Sequence, residues 1–224
     1  MKVLMNKSDK SVKNVSIIGG ADGPTSIFIA GRTGKGPLKV RIKNWLYGQR
    51  RKRIAKCIRP NPHSLKQVTA FMKREYAARE MSKESRQYQD MKDGLREALI
   101  MQNRPELLKG LAEVVRPKEY TRETMEEMFR QIERRREAAS KITDDQFTMD
   151  FHVYEICIEG GRMEIEIDYL WDVLGMSYSG SKKAMRKLRQ ISRRLHLYYG
   201  VTEEDIREES KRYSSLLTAL ASVD

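Results

Sequence analysis

The hydrophobic periodicity of the chain changes along its length, and this change constrains the fold more than any other feature. Apolar residues first recur every three to four positions, the spacing of amphipathic helices. Over "FHVYEICI" and "RMEIEID", which flank "EGG", the period becomes two, which predicts an antiparallel β-hairpin over residues 147–168. Helical spacing then returns. The pattern predicts a predominantly α-helical α+β protein with little sheet.

Capping residues set the expected helix boundaries. Ser64 and Thr121 each stand before an amphipathic run, and Thr202 precedes three acids that favour the first turn of a helix. Further helices are predicted over residues 38–59, 84–103, 105–115 and 181–199. In the helix after Thr121 we expect four side chains to point inward: Met125, Met128, Phe129 and Ile132.

The second strand of the predicted hairpin alternates strictly between apolar and acidic residues. Met163, Ile165 and Ile167 occupy one face. Glu164, Glu166 and Asp168 occupy the other. Three carboxylates on one face can attract a cation, but a solvated sheet face explains them more simply, and we expect the acidic face to lie in water.

Charge is distributed unevenly. Residues 1–74 contain 18 Lys and Arg but only two acids, whereas residues 75–224 contain 26 Lys and Arg against 29 acids. A field this one-sided attracts polyanions, although a basic segment that only aids solubility has the same composition. The asymmetry suggests a basic N-terminal segment over residues 1–62, followed by a globular α-rich domain over residues 63–224.

The first candidate contact surface is the cationic helix predicted over residues 38–59. Its basic residues are Lys39, Arg41, Lys43, Arg50, Arg51, Lys52, Arg53, Lys56 and Arg59. They can neutralise phosphates, and Trp45 and Tyr47 can stack on unpaired bases. Two alternatives remain: Trp45 packs on the core, or the helix lies on a membrane surface. Gly48 to Arg53 interrupts the apolar face, which disfavours the membrane.

The second candidate surface is residues 168–195, whose sequence resembles a helix-turn-helix. A short helix is expected to end at Gly175, and a basic helix follows the turn. On that second helix four basic residues share one face: Lys182, Arg186, Arg189 and Arg193. Trp171 and Gly180 depart from the tight motif. The helix can therefore read DNA bases, contact phosphates generally or be only a solvated surface.

Catalytic and metal-binding signals are missing from the sequence. Cys57 and Cys157 form no CxxC pair, and the three histidines lie far apart. A nucleophile elbow and a dinucleotide fingerprint are also absent. We therefore expect no catalytic residue, no metal and no cofactor, and we expect a cytoplasmic protein without a membrane span. The oligomeric state is not predicted.

The segment "VSIIGGADGPTSIFIAG", residues 15–31, differs from the basic sequence around it. Two short β-branched runs flank "ADGP", a strong turn signal, so a second β-hairpin is expected here. Within it, "SIIGGADGPTSIF", residues 16–28, closely resembles a signature of the β subunit of sodium-translocating decarboxylases of the oxaloacetate decarboxylase type.

The resemblance implies specific residues for sodium chemistry. In that membrane-embedded family the motif's aspartate is associated with sodium binding and with transport coupled to decarboxylation, and it corresponds to Asp22 here. The surrounding motif residues are Gly19, Gly20, Gly23, Pro24 and Thr25. The rest of the chain does not match the family. Three interpretations follow: a tight structural hairpin, a binding site for a protein partner or an anion, or a sodium site.

The charge asymmetry favours one function over the others. We expect a non-enzymatic protein that binds RNA or DNA or associates with ribonucleoprotein. The alternative is an interaction protein related to, or accessory to, the decarboxylase β subunit, without transport activity of its own. A membrane surface is the less favoured partner.

Overall fold

The computed structural model describes residues 14–20, 23–30, 38–111 and 121–222, with the backbone alone for the first two ranges and for Lys39. Seven α-helices lie in this part of the chain: α1 (Leu38–Cys57), α2 (Leu65–Tyr76), α3 (Arg86–Asn103), α4 (Arg122–Ser140), α5 (Lys182–Tyr199), α6 (Glu203–Arg207) and α7 (Lys211–Ala221). Six strands are described: β1 (Asn14–Gly20), β2 (Gly23–Ala30), β3 (Arg79–Glu80), β4 (Phe151–Ile158), β5 (Gly161–Asp168) and β6 (Val173–Gly180). The chain is therefore a mostly helical α+β protein, as its periodicity predicts.

The strands form two separate antiparallel sheets. β1 pairs with β2, and β3 to β6 make a four-stranded sheet in sequence order. The single hairpin predicted over residues 147–168 is the centre of a larger sheet, because β3 and β6 pair with its two edges. Its first strand, β4, begins at Phe151 rather than at residue 147. The turn residue Asp22 lies outside the described residues.

The described residues fall into two compact units, each built from two stretches of the chain. The first comprises those within Met1–Gly36 and Met91–Thr148, and the second comprises those within Pro37–Asp90 and Met149–Asp224. The sequence-based division into residues 1–62 and 63–224 stays a prediction.

A buried ion pair joins α3 and α4 in the first unit. Arg135 donates from Nε to Oε1 of Glu97 over 2.6 Å, and both side chains are buried. Met128 is buried nearby on α4 as expected, but Phe129 is exposed, so its predicted inward position was wrong. Arg135 lies two turns after Met128 on the buried face of α4, where a hydrophobic pattern does not predict an arginine.

The core of the second unit lies between the four-stranded sheet and two helices. Ile156 of β4 pairs with Met163 of β5, and Tyr154 pairs with Ile165, so these side chains share one sheet face. Apolar stripes of α2 and α5 pack on that face. The buried stripe residues are Leu65, Val68, Met72, Leu188 and Leu195.

Reciprocal capping hydrogen bonds mark where α2, α4 and α6 begin. Ser64 accepts a hydrogen bond from the amide of Gln67 over 3.3 Å, and Gln67 accepts one from the Ser64 amide over 2.8 Å. Thr121 and Thr202 cap α4 and α6 in the same reciprocal way. The single helix predicted after Thr202 is instead two, because Glu209 takes a left-handed conformation between α6 and α7.

The acidic face of β5 is not solvated, contrary to expectation. Glu166 and Asp168 are buried, and Glu164 is half-buried. Asp168 accepts hydrogen bonds from the amides of Leu170 and Trp171 over 3.0 and 2.9 Å, which closes the turn between β5 and β6. This turn and the strand that follows it, which pairs with β5, occupy the place of the short helix that was expected to end at Gly175.

The loop between α1 and α2 crosses the end of α5 at very close range. Asn61 donates its amide to Val201 over 3.0 Å, and His63 donates its amide to Tyr199 over 3.0 Å. Gly200 lies between these acceptors with φ +62°, and a Cβ there would overlap the carbonyl oxygen of Asn61. The crossing therefore requires glycine.

Arg212 of α7 closes this crossing from the other side. Its guanidinium donates to the carbonyls of Gly200 and His63 over 2.9 Å each, and to that of Tyr199 over 2.6 Å. It also lies 3.6 Å from the ring centroid of Tyr199. One side chain thus satisfies backbone acceptors from two chain segments that are distant in sequence.

Gly200→Ala should lower the free energy of unfolding strongly, since it combines a left-handed backbone, which costs about 1–3 kcal/mol, with a steric overlap. Gly48→Ala is the matched control, because Gly48 lies within α1 with open space around it. There the same change should stabilise the protein by about 1 kcal/mol through helix propensity. Urea unfolding measures both. Equal effects at the two positions would contradict the crossing.

Asp168→Asn should reveal a pH-dependent difference in stability. Burial raises the pKa of the Asp168 carboxyl above its ordinary value, and the hydrogen bonds from Trp171 and Leu170 only partly offset this. As the pH falls from 7 towards about 4, native Asp168 therefore takes up its proton before the unfolded chain does. The free energy of unfolding of the parent protein should rise relative to that of the variant over this range. Urea unfolding at a series of pH values measures it, and a constant difference would argue against the assignment.

Candidate nucleic-acid interface

The C-terminal half of α1 is fixed by an apolar contact with the end of the chain. Ile54, Ala55 and Ile58 pack against a cluster that includes Val201 and Leu216. This contact occupies one side of the helix, so the basic residues lie at the solvent-exposed side. Lys52, Arg53, Lys56 and Arg59 are exposed, and Arg50 and Arg51 are half-buried.

The basic residues of α5 are arranged in a similar way. The side of α5 that includes Leu188 and Leu195 is buried against the sheet. Lys182, Arg186 and Arg193 are exposed, whereas Arg189 is half-buried and takes part in an interaction of its own. The predicted helix is thus confirmed, but the preceding segment is β6, so the helix-turn-helix prediction was wrong.

Ion pairing distinguishes these two helices from α4. On α4, Arg122 lies 3.0 Å from Glu126 and Arg130 lies 2.9 Å from Glu127. Within the described part of the chain, no ion pair joins Arg53 or Arg193 to a carboxylate. α1 carries eight Lys and Arg and α5 carries seven, and neither helix contains an acid. No acid within either helix therefore neutralises its positive charge.

The two basic helices meet at one cavity within the second unit. Its volume is about 520 Å³, and Arg53, Arg59 and Arg193 all line it. Arg59 follows the end of α1, where its guanidinium donates to the carbonyls of Lys56 and Ile58 over 3.1 and 3.2 Å. Arginine residues from segments that are distant in sequence thus line the same space.

The N-terminal half of α1 exposes large apolar side chains. Trp45 is 62% exposed, so the alternative in which it packs on the core was wrong. Arg41 and Lys43 lie exposed among these residues, and Lys39 lies on the same part of the helix. The other exposed apolar residues are Leu38, Val40, Ile42 and Leu46.

The remaining sequence candidates belong to the signature motif of the first unit. β1 contains Gly19 and Gly20, and β2 contains Gly23, Pro24 and Thr25. The resemblance of residues 16–28 to the decarboxylase signature stays a prediction. Among the described residues, no three His, Cys, Asp or Glu side chains are grouped to hold a metal.

The two cysteines and His152 have separate environments. Cys57 and Cys157 are exposed free thiols. His152 is largely buried, with Nδ1 2.6 Å from Oε1 of Glu80 and Nε2 3.1 Å from Oδ1 of Asp150.

Sequence reasoning missed the apolar wall of the cavity. Leu197, Leu216 and Leu220 line it together with the arginines. Leu220 belongs to the apolar side of the last helix. Its position beside Arg53 depends on the crossing at Gly200, for which the sequence carries no periodic signal.

Comparison with protein-family models, curated proteins and solved structures found no match. None of the helices in the described residues combines the length and the apolar character needed to cross a bilayer.

Proposed function

We propose that the chain binds RNA or DNA without catalysing a reaction, through a basic surface formed by α1 with Arg59 and by α5. The observation that carries this proposal is that Arg53, Arg59 and Arg193 line the same cavity. Basic residues of two helices that border one cavity present phosphate-binding groups over a wider area than either helix does alone.

The energetic cost of this surface supports a polyanionic partner. Like charges three or four residues apart on a helix destabilise it by about 0.2–0.5 kcal/mol per pair. α1 places Arg50 and Arg53 at such a spacing, and α5 does the same with Lys182 and Arg186. Neither helix contains an Asp or Glu that would reduce the repulsion between these like charges. Phosphates would relieve it and would release counterions on binding.

Trp45 favours single-stranded over double-stranded nucleic acid. Its indole is exposed on the helix that carries Arg41 and Lys43. Stacking on an aromatic ring requires an unpaired base, and it tolerates any sequence, because every base has a π face. We therefore expect backbone contacts with stacking and little sequence preference.

A second candidate partner is an anionic membrane surface. Leu38, Ile42 and Trp45 are exposed at helical spacing. A basic helix with an exposed apolar side and a tryptophan is typical of segments that lie in the bilayer interface. The arginines of the C-terminal half of α1 and of α5 lie beyond this patch, and they favour nucleic acid as the main partner.

Replacing Arg50, Arg51, Lys52 and Arg53 by Gln should weaken binding of single-stranded RNA and flatten its salt dependence. Each lost phosphate contact removes about 0.7 from the slope of log K against log salt for a single strand. Fluorescence anisotropy with a labelled oligonucleotide at several salt concentrations measures this.

The matched control removes the same charge from α4, at the exposed residues Arg122, Arg130, Arg134 and Arg136. It should leave the slope close to that of the parent protein. Equal losses in the two variants would reduce the interaction to net charge and overturn the assignment. Binding to vesicles of phosphatidylserine, with no binding to RNA or DNA, would identify the membrane as the partner.

A further inference from the structure

The cavity that joins the two basic helices has a mixed lining. Its wall is aliphatic, with Ile54, Ile58, Leu216 and Leu220 among its residues. Leu216 and Leu220 are buried in the cluster that holds α7 against α1, so this wall is part of the core. A volume of about 520 Å³ lies within the range of about 300–1,000 Å³ typical of small-molecule sites.

The polar part of the lining has one sign of charge. Arg53, Arg59 and Arg193 line the cavity, and among its described lining residues there is no carboxylate. Arg53 and Arg193 are exposed, whereas the guanidinium of Arg59 is held by the carbonyls at the end of α1. A ligand that enters the cavity therefore meets aliphatic side chains and three arginine residues. Guanidinium forks match carboxylates and phosphates.

The lack of aromatic side chains in the described lining of the cavity limits which ligands can bind there. Among the described lining residues there is no aromatic side chain, so a nucleobase or another flat ring finds no stacking surface. A flexible hydrocarbon chain needs none, because it is stabilised by burial in proportion to its area.

The geometry points to a binding site for an aliphatic chain that ends in an anion, such as a medium-chain or long-chain carboxylate. The chain lies against the leucines and isoleucines of α1, α5 and α7, and the carboxylate binds Arg53 and Arg193. This site does not depend on the proposed binding of nucleic acid, although it shares those two arginines with it.

Dodecanoate below its critical micelle concentration is the probe for the full chain, with isothermal titration calorimetry as the readout. Dodecan-1-ol and dodecyltrimethylammonium have the same chain with a neutral or a positive end. Dodecanoate should bind at least tenfold more tightly than both. Equal affinities for the three would reduce the cavity to a nonspecific apolar surface and overturn the proposal.

Two pairs of variants test the two ends of the ligand. Arg193→Gln should weaken dodecanoate binding about tenfold, whereas Arg194→Gln, one position along α5 and outside the lining, should not. Leu197→Gln should also weaken it, whereas Leu170→Gln, at another exposed leucine outside the lining, should not. If the members of either pair behave alike, the ligand is not in this cavity.

Cys57 reports occupancy directly, because its side chain lines the cavity and is exposed. In a Cys157→Ser background it is the only thiol. Saturating dodecanoate should slow its alkylation by iodoacetamide at least tenfold. An unchanged rate would overturn the proposal.

Arg50→Gln with Arg51→Gln separates this site from the nucleic-acid surface, since neither residue lines the cavity. The double variant should weaken RNA binding and leave dodecanoate binding unchanged. RNA binding that stays unchanged in this variant would contradict the proposed function. Dodecanoate binding that weakens would contradict this site.

Discussion

The close crossing of the α1–α2 loop over Gly200 holds the helical part of the second unit together. Asn61 and His63 donate backbone hydrogen bonds to the segment that ends α5. The backbone of Asn61 comes so close to Gly200 that no side chain fits at position 200. Arg212 then donates to carbonyls on both sides of the crossing. Because hydrogen bonds from a charged donor are stronger than neutral ones, one guanidinium that donates to three carbonyls ties α7 to the α1–α2 loop and to the end of α5.

The position of α1 is a consequence of this crossing. The loop that leaves α1 is held at Gly200. The last turns of α1 therefore pack on α7, with Ile54 and Ile58 against the cluster around Leu216. The same arrangement leaves Arg53 and Arg59 beside Arg193 of α5 at one cavity. Stability and the proposed binding surface thus share a cause: the contacts that bury the apolar side of α1 also bring its basic side close to that of α5.

Features encoded within one short stretch of sequence could be predicted, and features that join distant stretches could not. The caps at Ser64 and Thr121 and the stripes of α2 and α5 are local. β6 was missed because the segment was interpreted as part of a helix-turn-helix, although Leu174, Met176 and Tyr178 alternate with Gly and Ser and pack on the core. Its strand pairs with β5. The Arg135–Glu97 pair and the cavity each need two segments far apart in the chain. For the site, the basic helices were predicted, but not their meeting.

The most direct test of the central claim, that α1 and α5 act as one surface, is the salt dependence of RNA binding in Arg53→Gln, Arg193→Gln and the double variant. One surface predicts that each single change lowers the slope of log K against log salt by about 0.7, and that the double change lowers it by about twice as much. An Arg193→Gln protein with the slope of the parent would show that α5 does not contact the strand that α1 binds, and it would contradict the account.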